Sequence, residues 1–245
     1  MAVENLLAID ERERLVAQFA EIAALAGGLA HEIKNPLSTI SLNLELLIEE
    51  VSEGDSPRDR RMLKKLLSLQ QECRRMGGIL EDFLKFARAG QPELVPCDLN
   101  QVVTDFLEFY QPEASANGIE ISPHLGADLP EVRLDSGLFR QVLLNLALNA
   151  QQAMPRGGLV EIQTRVRDGR VELEMIDNGC GMDERTLSKI FEVFWSTKAS
   201  GSGLGLATVK RIVEAHGGRV LVDSAPSRGT QFTISLPPAS GLPNS

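Results

Sequence analysis

His31, Glu32, Ile33, Lys34, Asn35 and Pro36 form the run with the most chemistry in this chain. A neutral imidazole is a competent nucleophile near pH 7, and a carboxylate beside it can orient the ring and accept its proton. On a helix, Asn35 shares a face with His31, four residues back. Glu32 points about 100° away and reaches the ring only through its length. Lys34 suits a solvated helix face, and so would a histidine with no chemical role.

A second set lies far downstream. Asn145 and Asn149 are four apart in an apolar helical stretch, where two amide oxygens could hold a Mg²⁺ ion bridging phosphates or could simply sit on a helix surface. Asp177, Asn178, Gly179, Cys180 and Gly181 follow a strand-like run. A carboxylate there could bond an adenine amino group, with glycines allowing close backbone approach, although Asp-Asn-Gly is also a strong turn signal. Gly201, Gly203, Leu204, Gly205 and Leu206 lead into a helix. Free N–H groups and the helix dipole there favour phosphate, and Lys198 upstream could add a mobile charge. The pattern is neither a Walker A loop nor a dinucleotide fingerprint. Phe191, Phe194 and Trp195 lie between the two glycine segments in a stretch of little regularity, as in a mobile lid, their rings suited more to plugging a core than to stacking on a base. Thr230, after Arg228 and Gly229, offers a hydroxyl at what reads as an ordinary turn.

The elements that must position these groups are legible in the spacing. Leu15, Phe19, Ile22, Ala26, Leu29 and Ile33 form a heptad seam, which resumes after Pro36 at Leu37, Ile40, Leu44, Leu47 and Val51. This predicts one long helix kinked at the proline, with His31 at the exposed f position. A turn at 53–57 precedes a second helix with Met62, Leu66, Leu69, Cys73, Met76, Leu80 and Phe83 on one face. A lone hairpin has too little core for such stripes, so a dimeric four-helix bundle is expected. The predicted layout is a hairpin domain over 1–89, a linker over 90–97 that could also be an extended strand, an α/β sandwich over 98–238 and a disordered tail at 239–245. Within the sandwich the patterns predict helices at 99–117, 136–153 and 204–216. Strands are expected at 119–124, 131–134, 159–166, 170–176, 218–224 and 230–236, with Asp168-Gly169 as a hairpin turn.

Composition narrows the function. The 245 residues carry a net charge of −9, which argues against nucleic acid as a main partner. Cys73, Cys97 and Cys180 show no CxxC spacing, which points to a reducing cytoplasm rather than a disulfide scaffold. No apolar run is long enough for a membrane segment, and the start lacks a signal-peptide layout.

Taken in order, these segments resemble the two-component sensor histidine kinase family over roughly residues 20–237. His31 to Pro36 is similar to its H-box, the stretch with Asn145 and Asn149 to its N-box, and Asp177 to Gly181 to its G1 box. Phe191 to Phe194 is similar to its F-box and Gly201 to Gly205 to its G2 box. The compact run Ser196-Thr197-Lys198 resembles the nitrogen-regulation branch. The resemblance implies a dimerisation and phosphotransfer hairpin joined to a Bergerat-type ATP-binding domain. By it, His31 accepts the γ-phosphoryl of ATP and Glu32 assists as acid–base. Asn35 positions water if the protein is also a phosphatase. Asn149 and Asn145 hold Mg²⁺, Asp177 selects adenine with Gly179, Gly181 and Thr230 around it, and Lys198 with Gly203 to Leu206 holds the phosphates. It also implies a response-regulator receiver domain as partner, and a sensor module that is missing here or supplied by a separate protein. Two other readings use the same residues: an ATPase that uses nucleotide as a conformational switch, which needs no histidine on a heptad helix, and a silent dimeric scaffold, which needs no nucleotide.

Overall fold

The computed structural model describes residues 32–52, 54, 56–90, 92–198 and 201–239. His31 and the seam positions Leu15 to Leu29 lie outside the described residues. Two compact units are present. One holds the helices up to Arg88 together with Lys198, Gly201 and Ser202; the other holds Ala89–Thr197 and the chain from Gly203 onward.

In the first unit, α1 (helical over 32–52) passes through Pro36, and α2 spans Pro57–Arg88. The start of α2 is a reciprocal cap. Asp59 Oδ2 accepts the Ser56 N–H at 3.2 Å, while Ser56 Oγ accepts the Asp59 N–H at 3.2 Å, and Pro57 occupies the first helical position, where no donor is needed. The stripes divide in a way the sequence reading did not foresee. Leu37 and Leu44 on α1 are buried, and Leu66, Cys73, Leu80 and Phe83 on α2 are half-buried. Ile40 and Leu47, and Met62, Leu69 and Met76, are 40–54% exposed instead. Each heptad thus has one apolar set turned into the hairpin and one turned out, because two helices can cover only one side of a seam. Among the described residues no helix is long and apolar enough to cross a membrane.

The second unit layers helices on a sheet. Its strands are β1 (Val95–Cys97), β2 (Ile119–Leu125), β3 (Val132–Leu134), β4 (Gly158–Arg167), β5 (Arg170–Asp177), β6 (Arg219–Ser224) and β7 (Thr230–Leu236). Its helices are α3 (Leu99–Ala116), α4 (Ser136–Ala153), the single turn α5 (Glu184–Leu187) and α6 (Gly205–Ala215). Five strands run in the order β2-β4-β5-β7-β6, parallel only between β2 and β4. Alternation puts Val160, Ile162, Leu173, Met175, Phe232 and Ile234 into a core with Phe106, Phe139, Leu143, Val209 and Ile212 of the helices. The opposite face is polar. There Arg165 bonds Glu174 at 2.7 Å and Glu172 at 3.3 Å. Asp168 and Gly169 both have positive φ, as a two-residue hairpin loop requires.

Of the two readings of 90–97, a linker or an extended strand, its end takes the second: β1 pairs antiparallel with β3, since Val95 finds a partner in Leu134. Two further stretches differ from expectation. Ala239, placed in the expected tail, is tied to the fold, its N–H bonding the Glu131 carbonyl at 2.7 Å; 240–245 lie outside the described residues. The stretch between the glycine segments holds α5, whose N-cap Asp183 accepts the Thr186 N–H at 2.7 Å. Phe191 and Trp195 pack on the core, while Phe194, at φ 65°, turns outward.

Candidate functional site

Asp177 ends β5 with its side chain buried, 6% of the residue being exposed. Its carboxylate accepts the Gly179 N–H at 2.9 Å, and the Thr230 N–H bonds it from β7. Burial pushes its pKa above the ordinary 3.8, and these two donors pull the other way. The loop after it is laced in on both sides. The Cys180 N–H bonds the Ala153 carbonyl at the end of α4, and the Ser227 N–H bonds the Cys180 carbonyl at 2.7 Å. Ser224 Oγ accepts the Met182 N–H at 3.0 Å, donates to the Gly229 carbonyl at 2.9 Å and lies 3.1 Å from Thr230 Oγ1.

Two glycines are demanded here by space. A Cβ on Gly181, at φ +65°, would stand 2.0 Å from the Ala225 carbonyl oxygen, and one on Gly229, at φ +78°, would stand 1.8 Å from the Asp177 carbonyl oxygen. Ser224, at the end of an expected strand, and Gly229, in what reads in the sequence as an ordinary turn, are thus site-building residues. Their signal was a Gly in the hairpin paired to the Asp177 strand, visible only once β5 and β7 are known to be neighbours.

The second cluster joins α4 to α6. Asn145 Nδ2 donates to the Gly205 carbonyl at 3.2 Å, tying the middle of α4 to the first turn of α6. Leu204, the N-cap, contributes no side-chain hydrogen bond to that turn, a leucine having no acceptor to offer. Asn149 is half-buried one turn further along α4, and among the described residues its side chain makes no hydrogen bond. The two amides, equivalent in the sequence, therefore differ: Asn145 braces the glycine segment through its nitrogen and keeps its oxygen to accept or ligate, while neither end of the Asn149 amide is engaged among the described residues. Leu206 is half-buried against the core, and a Cβ on Gly205 would meet nothing within 4 Å.

Helix α4 links the clusters. Ala153 touches the Asp177 loop and Asn145 touches α6, eight residues or about 12 Å apart along the axis, with Asn149 midway. The structure thus brings Asp177, Gly179, Gly181 and Thr230 together at one end and Asn145, Gly203, Leu204, Gly205 and Leu206 at the other. Glu32, Asn35 and Lys198 belong to the helical unit. Glu32 and Asn35 are exposed on α1, and Lys34 lies 3.5 Å from Glu81 of α2.

A helical hairpin followed by a layered α/β domain, with a buried carboxylate at a strand end and a glycine-rich helix start, defines a two-domain protein of nucleotide-binding type. Residues 21–92 match the His Kinase A (phospho-acceptor) domain, and residues 134–240 match the histidine kinase-, DNA gyrase B- and HSP90-like ATPase family. The chain belongs to the two-component sensor histidine kinase family. It is 37% identical over 227 residues to the sensor histidine kinase ZraS of Klebsiella oxytoca, covering 92% of this chain and 47% of ZraS. It is 34% identical over 237 residues to the histidine-protein kinase AtoS of Escherichia coli K12, covering 95% of this chain and 38% of AtoS. Full-length ShkA in complex with AMPPNP superposes with a TM-score of 0.66 at 30% identity, covering 86% of this chain and 45% of ShkA. The chain thus spans about half or less of the length of these relatives.

Proposed function

We propose that this chain is an ATP-dependent protein histidine kinase core that phosphorylates its own His31 and passes the phosphoryl group to an aspartate of a response-regulator receiver domain. The observation that carries the reading is the α4 spine, with a buried carboxylate loop at one end and a glycine-led helix N-terminus about 12 Å away. A nucleoside triphosphate bridges such a span, its base amino group against Asp177 and its phosphates at the start of α6. The family models, and the AMPPNP bound by ShkA, support the same occupant.

In the transfer, the imidazole lone pair of His31 attacks the γ-phosphorus in line. A P–N bond forms, the bond to the bridging oxygen breaks and ADP leaves. The imidazole proton passes to the Glu32 carboxylate. If the core also dephosphorylates its regulator, Asn35 would hold the water that hydrolyses the aspartyl phosphate. Asn149 would hold Mg²⁺ through its amide oxygen, a hard donor with no hydrogen bond among the described residues, with Asn145 in support, and the ion would neutralise phosphate charge. Lys198 would add a cation to the phosphates. The outward apolar sets of both helices support a homodimer through a four-helix bundle, and ATP as substrate assigns the core to the cytoplasm. The input comes from a sensor module or a separate sensor protein.

The test is incorporation of ³²P from [γ-³²P]ATP. His31→Gln is expected to abolish labelling while Mg·ATP binding persists; unchanged labelling would overturn the assignment.

A further inference from the structure

His216 closes α6 and is only 3% exposed. Its Nε2 lies 3.0 Å from the backbone nitrogen of Asp135. A backbone N–H can only donate, so Nε2 must accept, and the ring proton stays on Nδ1, which donates to the Ile212 carbonyl at 2.7 Å. The ring packs edge-on to Phe139 of α4 with centroids 6.2 Å apart. Asp135 is itself the N-cap of α4: Oδ1 accepts the Leu138 N–H at 3.0 Å, and Oδ2 accepts the Glu93 N–H of the incoming chain at 3.1 Å.

One hydrogen bond therefore joins the last turn of α6 to the cap of α4. The Asn145–Gly205 bond joins the other end of α6 to the middle of α4. The ten-residue step from Asp135 to Asn145 and the 11 residues of α6 cover about the same length, near 15 Å, so the helices are clamped antiparallel at two points. Neither point alone sets the height of α6 along α4.

We propose that His216 is a positioning residue for nucleotide binding, holding the Gly205 end of α6 in register with Asn149 through its bond to the cap of α4. The inference rests on the reading of these helices as the phosphate end of the nucleotide site. It carries a pH signature. Burial depresses the His216 pKa below the ordinary 6.5, against the raising effects of the Ile212 bond and the Asp135 charge, so the bond-competent neutral form prevails at neutral pH. Protonation puts a second donor opposite the Asp135 N–H and breaks the clamp. Asp135 is the one charge that acts on the ring among the described residues, and charged groups of the neighbouring elements have partners of their own. Arg133 of β3 bonds the Leu94 carbonyl at 3.2 Å, Arg170 of β5 bonds the Gly217 carbonyl at 3.1 Å, and Lys210 and Glu214 of α6 pair at 3.8 Å. The Glu93 and Arg219 side chains are exposed.

The experiment measures Mg·AMPPNP affinity of the full chain from pH 5 to 8 for wild type, His216→Gln and His216→Phe, with thermal unfolding alongside. Gln can accept the Asp135 N–H but does not titrate, so its affinity should match wild type at pH 8 and exceed it at pH 5.5. Titration of Asp177 and of the nucleotide is common to both profiles and cancels in their difference. Phe keeps the packing but not the acceptor, and should bind about tenfold more weakly at every pH. If Phe does not fold, the Gln profile alone decides. Parallel wild-type and Gln profiles, or a folded Phe variant with wild-type affinity, would overturn the role of His216. A wild type that binds no nucleotide would overturn the site reading as well.

Discussion

Gly203 and Gly205 sit two residues apart in the same glycine segment, yet the structure predicts opposite consequences for replacing them with alanine. Gly203 has φ +68°, and its Cβ would stand 2.4 Å from the Phe194 carbonyl carbon and 2.6 Å from the Trp195 nitrogen. The backbone conformation alone costs about 1–2 kcal/mol for an L-residue. The overlap is with backbone, which cannot rotate aside, so the total for Gly203→Ala should exceed about 3 kcal/mol. Gly205 begins α6, and its Cβ would meet nothing within 4 Å. Alanine there should leave stability unchanged or raise it by up to about 1 kcal/mol through helix propensity. Any loss of function in Gly205→Ala must then come from a ligand that needs the space. A methyl group between this turn and a phosphate removes a charge-assisted hydrogen bond worth about 1.5–3 kcal/mol, or roughly 10- to 150-fold in affinity. Chemical denaturation with calorimetric Mg·ATP titration measures both quantities. A Gly205→Ala protein that binds Mg·ATP like wild type would refute phosphate approach at this turn. A Gly203→Ala protein as stable as wild type would refute the geometry.

Two further outcomes follow from burial. Asp177→Asn should lose Mg·ATP binding at pH 7. Because the folded-state pKa of Asp177 lies above 3.8, its contribution to stability is present below that pH and lost as pH rises through the raised value. The unfolding free energy of wild type relative to Asp177→Asn should therefore fall as pH rises above about 4, and a difference constant with pH would contradict the raised pKa. On the hairpin, Leu69 and Met76 are each 54% exposed within one protomer. Leu69→Glu with Met76→Glu should dissociate the homodimer in sedimentation experiments, with little cost to the protomer's own packing; an intact dimer would show that the outward stripe is not the interface.

The elements of the α/β unit were legible because their signals are local. Asp98 and Asp135 are N-caps, Asp168-Gly169 is a two-residue turn, and the period-2 runs from 158 to 177 alternate as strands. The β1 strand was half-legible: Val95 to Cys97 is short, and its pairing depends on Val132–Leu134, a segment distant in the sequence. The hairpin stripes were legible as apolar but not as two sets, because a heptad marks a seam without saying which side a partner covers.

The same division runs through the site. The kinds of group were determined by the sequence alone: an imidazole with a carboxylate and an amide on one helix, paired asparagines, a carboxylate before glycines, and glycines before a helix. Chain-local chemistry and helical period need no fold to be read. The tertiary structure decided which of these groups act on one another. It bound the Asn145 nitrogen to Gly205 and left both ends of the Asn149 amide unengaged among the described residues, made Gly229 obligatory through the Asp177 carbonyl, and tied His216 to Asp135. Those relations depend on distances between segments far apart in sequence, and only packing sets such distances.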